Sequence, residues 1–447
     1  MSGSSRMNDH HYDIIGDIHG RFDKLEALLE RLGYARGDDA GFIPPAGHKA
    51  LFLGDLIDPK PGHARAGGVR ATLEAVKAMC DAGNALCLMG NHELNAIYFH
   101  SRGADGKWLR HHGDKNVRMH QGTLDDFPDH HDPAGEWLAV WLPWLKRLPF
   151  HLDLGGFRAV HAAWDPEMIA RIGGRELADD GFFMAAADKR NPEGEALETL
   201  LKGIEIDLPT GRSFVDHTGI ARANMRARWW ELPAPGIRYD GLVFPANPQI
   251  PNDPVEKDGF APIPGYPLDA VPVFFGHYFK PADAPLMPER ANVACLDHSA
   301  AKDGPLIAYR WMGEAVIDPR NYVSHEDRDD DPDPADDRPD PQEVVKSMTF
   351  LRDLERGMKY EIALGRCLLN DQLYACLTVD EDSMFSDYGF TMHDYVPLND
   401  NDLDEFRSLA PGSSIFYRIQ EISRGRDCIL TDRGKVGWGD RVFYPTT

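Results

Sequence analysis

The sequence predicts an α/β fold, because short apolar runs alternate with helical patterns and each run ends in a glycine-containing polar turn. The first apolar run starts at Tyr12 and is followed by an amphipathic stretch over 22–32 and a second apolar run over 50–53. A helical stretch over 69–79 and a third apolar run over 85–89 continue the pattern. Strands that alternate with helices favour a mostly parallel sheet.

The polar turns after these runs carry most of the chemically reactive side chains. They read GDIHG at 16–20, GDLID at 54–58 and GNHE at 90–93, and two later runs end in His161 and in Gly276-His277. Ligands of α/β sheets usually bind at the carboxyl ends of strands. Carboxylate, imidazole and amide donors without thiolates suit first-row divalent ions such as manganese, iron or zinc. Two such ions bridged by one carboxylate can hold a phosphoryl group and activate a water.

The region that carries these motifs is long and interrupted. We assign residues 8–320 to a catalytic domain with insertions at about 94–150 and 162–270. Long insertions between strands usually form caps or substrate walls.

A change in composition predicts a domain boundary. Residues 321–341 include the run EDRDDDPDPADDRPD, which cannot bury a core and predicts an acidic linker. Residues 342–447 follow as a small accessory domain of α+β or β type and unknown role. We expect a helix at its start, over about 341–358.

Charge and composition restrict the partners and the compartment. The chain has 48 Lys and Arg against 72 Asp and Glu, a net charge of −24, which opposes general affinity for nucleic acid. No apolar run approaches the roughly 18 residues of a membrane span, and the N-terminus has no apolar signal segment. The six cysteines form no C-x-x-C pair and fit reduced thiols. We therefore expect a cytoplasmic protein that does not bind membranes.

The motifs resemble those of the calcineurin-like metallophosphoesterase superfamily, and within it the bacterial relatives of the serine/threonine phosphoprotein phosphatase (PPP) family. GDIHG, GD-x-x-D and GNHE stand in the family order and at similar spacing, followed by VHA at 160–162 and GH at 276–277. The resemblance covers about residues 12–312. It implies a four-layer α/β/β/α sandwich.

The resemblance also implies two divalent metal ions, with manganese as the first expectation and iron or zinc as alternatives. Six residues would bind them: Asp17, His19, Asp55, Asn91, His161 and His277. Asp55 would bridge both ions. Asp17 and His19 would bind metal 1, whereas Asn91, His161 and His277 would bind metal 2. His92 would protonate the leaving oxygen and Asp58 would orient it.

Two positions depart from common patterns of the superfamily. An arginine usually follows the second aspartate and clamps phosphate, but here Asp58 is followed by Pro59 and Lys60. We expect Lys60, or Arg228 from the run ARANMRARWW, to bind phosphate instead. Many members of the superfamily have a second histidine two positions after the one that matches His277, but here that position is Phe279. PPP-like members lack this histidine too, so Phe279 favours the PPP-like branch over diesterases and nucleases.

These residues predict a two-metal phosphatase that hydrolyses phosphomonoesters by direct attack of metal-bound water. Three kinds of phosphorylated substrate remain open: phosphoserine or phosphothreonine proteins, bis-nucleoside polyphosphates, and nucleic-acid 3′-phosphate ends. One alternative is a phosphodiesterase or nuclease on the same fold. Another is a non-catalytic scaffold whose C-terminal domain recruits a partner.

Overall fold

The computed structural model describes residues 10–215, 221–232, 237–255 and 262–326, together with six strands between 348 and 439. These residues belong to two compact units, Met1–Ala315 with Asn321–Asp329, and Val316–Arg320 with Asp330–Thr447. Most of the predicted acidic linker lies outside the described residues, so the domain boundaries stay a prediction. None of the helices described here is long and apolar enough to cross a membrane.

The first unit contains both strands and helices, which confirms the predicted α/β class. Its strands are β1 (His11–Ile15), β2 (Ala35–Arg36), β3 (Phe42–Ile43), β4 (His48–Phe52), β5 (Ala85–Cys87), β6 (His151–Asp153), β7 (Arg158–Val160), β8 (Glu205–Asp207), β9 (Phe214–Val215), β10 (Ala221–Arg222), β11 (Asn224–Arg226), β12 (Val273–Phe275), β13 (Val293–Cys295), β14 (Ile307–Trp311) and β15 (Tyr322–Ser324). Its helices are α1 (Phe22–Arg31), α2 (Gly68–Asp81), α3 (Asn91–Phe99), α4 (Asp114–Asp126), α5 (Leu142–Leu145), α6 (Pro166–Ile172), α7 (Asp180–Ala186), α8 (Pro192–Lys202) and α9 (Tyr239–Leu242). A π-helical turn, Trp137–Trp141, precedes α5, and a 3₁₀ turn, Pro319–Asn321, precedes β15.

The first sheet is mixed and has the order β15-β14-β1-β4-β5. β1, β4 and β5 run parallel, whereas β14 pairs antiparallel with β1 and with β15. β1 is central and its last four residues are buried, as expected for a strand covered on both faces. α1 packs against α2 and buries Leu25, Leu28 and Leu29. These three leucines have the helical spacing that the sequence predicted for one face of an amphipathic helix.

The first unit also contains a second mixed sheet. It has the order β13-β12-β7-β6, and its three strands β7, β12 and β13 are parallel. Aromatic rings join the two sheets: Tyr12 lies 5.3 Å from Phe157, and Phe274 lies 4.8 Å from Tyr309, between ring centroids. The second sheet is assembled from strands separated by long insertions, which short-range periodicity cannot reveal. The outer helical layers of the four-layer sandwich stay a prediction.

The second unit is described as an antiparallel sheet of strands in chain order. These strands are β16 (Met348–Arg356), β17 (Tyr360–Cys367), β18 (Leu373–Val379), β19 (His393–Leu398), β20 (Cys428–Asp432) and β21 (Lys435–Gly439). The prediction of a helix over about 341–358 is therefore wrong for residues 348–356, which form β16. The pairing of β16 with β17 shifts register after Phe350 and again after Asp353. Such bulges interrupt the two-residue alternation that would have identified a strand.

Candidate metal centre

Two sets of parallel strands bring their carboxyl ends to one site. Six polar side chains follow these strands: Asp17 after β1, Asp55 after β4, Asn91 after β5, His161 after β7, His277 after β12 and Asp297 after β13. Each of the six is buried. The first five were predicted from the sequence, and Asp297 was not.

The turns that hold these side chains have unusual backbone conformations. Four non-glycine residues of the site have positive φ: 53° at His19, 51° at Asp55, 63° at Asp58 and 67° at His277. The turns also lie very close together. A Cβ added to Gly276 would lie 2.0 Å from Oδ1 of Asp17, so only glycine fits there.

Asp55 lies between two groups of histidines. Its Oδ2 is 3.6 Å from Nε2 of His19, and its Oδ1 is 3.5 Å from Nε2 of His161. Its Oδ1 also accepts the backbone N–H of His92 at 2.9 Å, which fixes the carboxylate in this orientation. One oxygen thus faces each group, as a bridging ligand requires.

The group on one side of Asp55 contains three of the predicted metal 2 ligands. Oδ1 of Asn91 is 3.1 Å from Nε2 of His161 and 2.6 Å from Nδ1 of His277. The other ring nitrogen of His161 lies 2.8 Å from the carbonyl oxygen of Leu53, which orients the imidazole. The other ring nitrogen of His277, Nε2, is buried and has no hydrogen-bond partner among the described residues. One potential ligand atom each from Asp55, His161 and His277 lies within 4.8 Å of the others.

The group on the other side of Asp55 contains His19 and His92. Ligand atoms of these three residues also lie within 4.8 Å of one another. Nδ1 of His19 is 3.1 Å from the carbonyl oxygen of Ile57. Asp17, the remaining predicted ligand of metal 1, lies beside this pair of groups, where its carboxylate accepts the backbone N–H of His277 at 3.0 Å.

The site concentrates buried carboxylates. Burial, followed by the charges of Asp297 and Asp55, raises the pKa of Asp17 well above its usual range. Burial and then Asp55 raise the pKa of Glu93 to about 7. Burial opposes ionisation of Asp55, but neighbouring histidines hold the pKa of Asp55 below its usual value. Like charges in a buried space are unfavourable unless cations compensate them, so this donor set fits a pair of divalent ions.

The imidazoles of His19 and His277 are held toward their neutral form. Burial lowers the pKa of His19 to about 3, even though the Asp55 carboxylate opposes the change. Burial and then the positive charge of Arg226 lower the pKa of His277 well below its usual range. A metal ion binds the neutral imidazole, so no proton has to be removed first.

His92 differs from His19 and His277 in the direction in which its pKa is shifted. Its Nδ1 is 2.8 Å from Oδ2 of Asp58. Burial opposes the charge, but Asp55 and Asp58 together raise the pKa of His92. Burial also opposes ionisation of Asp58, yet the pKa of Asp58 lies below its usual range because His120 and His92 stabilise its anion. The structure thus places the side chains of His92 and Asp58 in contact, and their roles stay a prediction.

Asp58 has further partners that the sequence did not indicate. Its Oδ1 lies 2.7 Å from Nδ1 of His120 and accepts the hydroxyl of Thr123 at 2.6 Å. Nε2 of His120 is in turn 3.2 Å from Nε2 of His100. His120 and Thr123 belong to α4 in the first insertion, which no local motif connects to Asp58.

Glu93 joins two of the motif turns. Its carboxylate accepts the backbone N–H groups of Asp55, Leu56 and Gly90, each at 2.8 Å. The turn after β4 and the start of α3 are thereby held as one piece. The sequence contained Glu93 within GNHE, but its neighbours gave no sign of this role.

The predicted phosphate-binding residues occupy different surroundings. Lys60 is half-buried, and its charge lowers the pKa of His19, after larger effects of burial and of other charges. Arg228 instead lies 3.8 Å from Glu231 and donates to the carbonyl oxygen of Val243 at 3.4 Å. Arg226, another arginine of the same run, donates to the carbonyl oxygen of His277 at 3.4 Å. Within the run ARANMRARWW, Arg226 is thus the residue that contacts a predicted metal ligand.

Comparisons with known proteins agree with this geometry. Residues 10–169 match the family model of the calcineurin-like phosphoesterases. The chain is 30% identical over 164 residues to the symmetrical bis(5′-nucleosyl)-tetraphosphatase of Dechloromonas aromatica, covering 37% of this chain and 47% of that protein. It is 40% identical over 89 residues to the asymmetrical bis(5′-nucleosyl)-tetraphosphatase of Geobacillus thermodenitrificans, covering 20% of this chain and 33% of that protein.

The chain spans less than half the length of these curated relatives. No solved structure matches the chain significantly. The matched region includes β1, β4, β5 and β7 with the motif residues at their ends, from Asp17 to His161. Residues 10–169 are therefore similar to the calcineurin-like phosphoesterases, in the part of the chain that carries most of the motif residues.

Proposed function

We propose that the chain is a two-metal phosphoric ester hydrolase and that nucleoside polyphosphates are its preferred class of substrate. The observation that carries this proposal is the position of Asp55, with one carboxylate oxygen toward each of two histidine groups. The pair of His92 and Asp58 lies directly beside it. Asp17, His19 and Asp55 would hold metal 1, and Asp55 would share metal 2 with Asn91, His161 and His277.

When bound, two divalent ions at this site would orient a phosphoryl group and lower the pKa of an attacking water. Water attacks phosphorus as the bond to the leaving oxygen breaks, and the leaving oxygen takes the electron pair. His92 gives its Nε2 proton to that oxygen, while Asp58 keeps Nδ1 protonated and the ring in place. Lys60 and Arg226 would add positive charge near the phosphoryl oxygens.

The named relatives supply the substrate class. Both are bis(5′-nucleosyl)-tetraphosphatases, and the family-model match over 10–169 includes most of the proposed ligands. The acid pair is also suited to a phosphomonoester, because an alkoxide or phenolate leaves slowly unless it is protonated. Monoesters are therefore the second candidate.

A comparison of three substrates tests the proposal. Manganese-supplemented protein should hydrolyse diadenosine tetraphosphate with a higher kcat/KM than p-nitrophenyl phosphate, and bis-p-nitrophenyl phosphate should be the poorest substrate. Chelation should abolish all three activities. Faster turnover of the diester would favour the phosphodiesterase alternative, and turnover of none would favour the scaffold.

The two ions should differ in how tightly they are held. Metal 1 has three proposed protein ligands and metal 2 has four, and affinity grows with the number of donors. Protein purified without added metal should contain nearer one ion than two by elemental analysis, and manganese should restore activity. Asp17→Asn should raise the manganese concentration needed for half-maximal activity without removing the tightly held ion. Two ions lost together on chelation would contradict this assignment.

A further inference from the structure

An exposed aromatic ring stands at the edge of the candidate metal centre. Phe279 follows the proposed metal ligand His277 by two residues, so their Cα atoms are at most about 7 Å apart. The residues on either side of it, Tyr278 and Lys280, are buried, whereas 43% of the Phe279 surface is exposed. Single exposed apolar residues are common at protein surfaces, so the surroundings of the ring decide whether it has a role.

The backbone holds Phe279 in this exposed position. Its φ is 23°, a conformation that bulky residues rarely adopt. The backbone N–H of Phe279 donates to Oδ2 of Asp297 at 2.8 Å, and the backbone N–H of Lys280 donates to the carbonyl oxygen of Asp297 at 2.8 Å. The Lys280 ammonium is buried and lies 2.8 Å from the Glu289 carboxylate. Strained backbone persists where the surrounding structure fixes it, and it is concentrated at active sites and ligand sites.

Arg226 connects the ring of Phe279 with the metal centre. Its guanidinium carbon lies 5.0 Å from the centroid of the Phe279 ring, within the range of a cation–π contact. The same guanidinium donates to the carbonyl oxygen of His277 at 3.4 Å. After burial, its charge is the main cause that lowers the pKa of His277, because the guanidinium lies near that imidazole. The ring is therefore separated from a proposed ligand of metal 2 by a single side chain.

A second exposed aromatic ring has different surroundings. Among the side chains whose burial the structure describes, the large aromatic ones that are exposed are Phe279 and Trp108. The guanidinium of Arg102 lies 3.8 Å from the Trp108 ring centroid, and the His112 ring stacks on Trp108 at 4.6 Å. Trp108 thus belongs to a packed stack in the first insertion, whereas Phe279 adjoins the metal centre.

The position of Phe279 suits one part of a nucleoside polyphosphate. A phosphate held at the proposed metal centre beside Arg226 carries a ribose and a base beyond it, and these extend onto the surface around the site. A base of any kind can stack on an aromatic ring, because every base has a π face.

We propose that the ring of Phe279 is a stacking platform for a nucleobase of the nucleoside polyphosphate substrate. The proposal rests on the proposed function and identifies the part of the substrate that the chain recognises apart from its phosphates. Arg226 packs against the ring and adds a cation to the platform. Substrates without a base gain nothing from it.

Phe279→Ala tests the platform, with Leu268→Ala as the matched control because Leu268 is similarly exposed, at 48%. Phe279→Ala should lower kcat/KM on diadenosine tetraphosphate by about 5- to 150-fold, the range for stacking of one base, mainly through KM. Its kcat/KM on inorganic tripolyphosphate, which has no base, should stay unchanged. Phe279→Trp should retain wild-type values on both substrates, and so should Leu268→Ala.

The tripolyphosphate measurement distinguishes stacking from a structural role of the ring. If Phe279 only positioned Arg226, the alanine variant would lose equally on both substrates, and that result would overturn the platform. Circular dichroism should show that the alanine variant is folded. If it is not, Phe279→Leu keeps an apolar side chain without a π face and should show the same selective loss to a smaller extent.

A binding measurement separates this proposal from the proposed function. Adenosine 5′-(α,β-methylene)diphosphate and methylenediphosphonate share a methylene-bridged pair of phosphoryl groups, and only the first has a nucleoside. In isothermal titrations with manganese present, the wild type should prefer the first, Phe279→Ala should lose this preference, and Phe279→Trp should keep it. If the wild type hydrolyses no substrate, the proposed function fails, but these titrations still decide about Phe279. Equal affinity of the wild type for both ligands, or a preference that survives in Phe279→Ala, would overturn the platform.

Discussion

Asp55→Asn is expected to lower kcat by at least about 10³-fold, more than the loss of a single transition-state hydrogen bond usually costs. The carboxylate has one oxygen toward His19 and the other toward His161. An amide offers a single oxygen donor and no negative charge, so it cannot hold two divalent ions close together. The loss should exceed that of any variant that removes a ligand of one ion only.

The Asp55→Asn measurement needs saturating manganese and a control for the lost charge. Glu30→Gln removes one negative charge from the exposed surface of α1 and should leave activity unchanged. Asp55 Oδ1 also accepts the backbone N–H of His92, so the substitution could disturb the fold. Circular dichroism should show that the Asp55→Asn variant is folded. Retention of more than a few per cent of wild-type kcat would show that Asp55 does not bridge.

The second large effect is expected for His92→Ala, which should lower kcat by about 10²–10⁴-fold, the usual contribution of a general acid. Metal content should stay unchanged, because His92 is proposed to act as the acid and not as a ligand. The loss should shrink as the leaving group becomes more acidic, since a good leaving group departs without a proton. A series of substituted aryl phosphates measures this dependence.

Two further variants make the test of His92 specific. His111→Ala removes an exposed histidine of the first insertion and should leave kcat unchanged. His120→Gln removes the imidazole on the other oxygen of Asp58 and should give a smaller loss with the same dependence on the leaving group. Equal losses of the His92 variant across the whole series, or loss of one bound ion, would remove His92 from the role of acid.

The sequence indicated the parts of the site that follow strands. Asp17, Asp55 and Asn91 could be found because each stands in a glycine-containing turn after an apolar run, and parallel strands bring such turns together. Asp297 follows the same rule, because it comes directly after the apolar run over 293–296 that contains β13. It could have been predicted from that rule alone.

Other residues of the site gave no local signal. His120 lies in an insertion, and its contact with Asp58 depends on where α4 packs. Arg226 and Arg228 are two residues apart in one run, and only the tertiary structure separates their environments. Propensity and periodicity describe neighbours in sequence, whereas these roles depend on contacts between distant segments.

Four residues of the site have a left-handed backbone conformation: His19, Asp55, Asp58 and His277. At these positions the requirements of thermal stability and of catalysis conflict. A non-glycine residue held in such a conformation costs of order 1–3 kcal/mol, which glycine would relieve. Glycine, however, has no carboxylate or imidazole to offer. Variants selected only for thermal stability should therefore accumulate glycine at those of the four positions where the relieved strain exceeds the lost side-chain hydrogen bonds, and should lose activity as they become more stable. Improvement of both properties has to come from elsewhere in the chain.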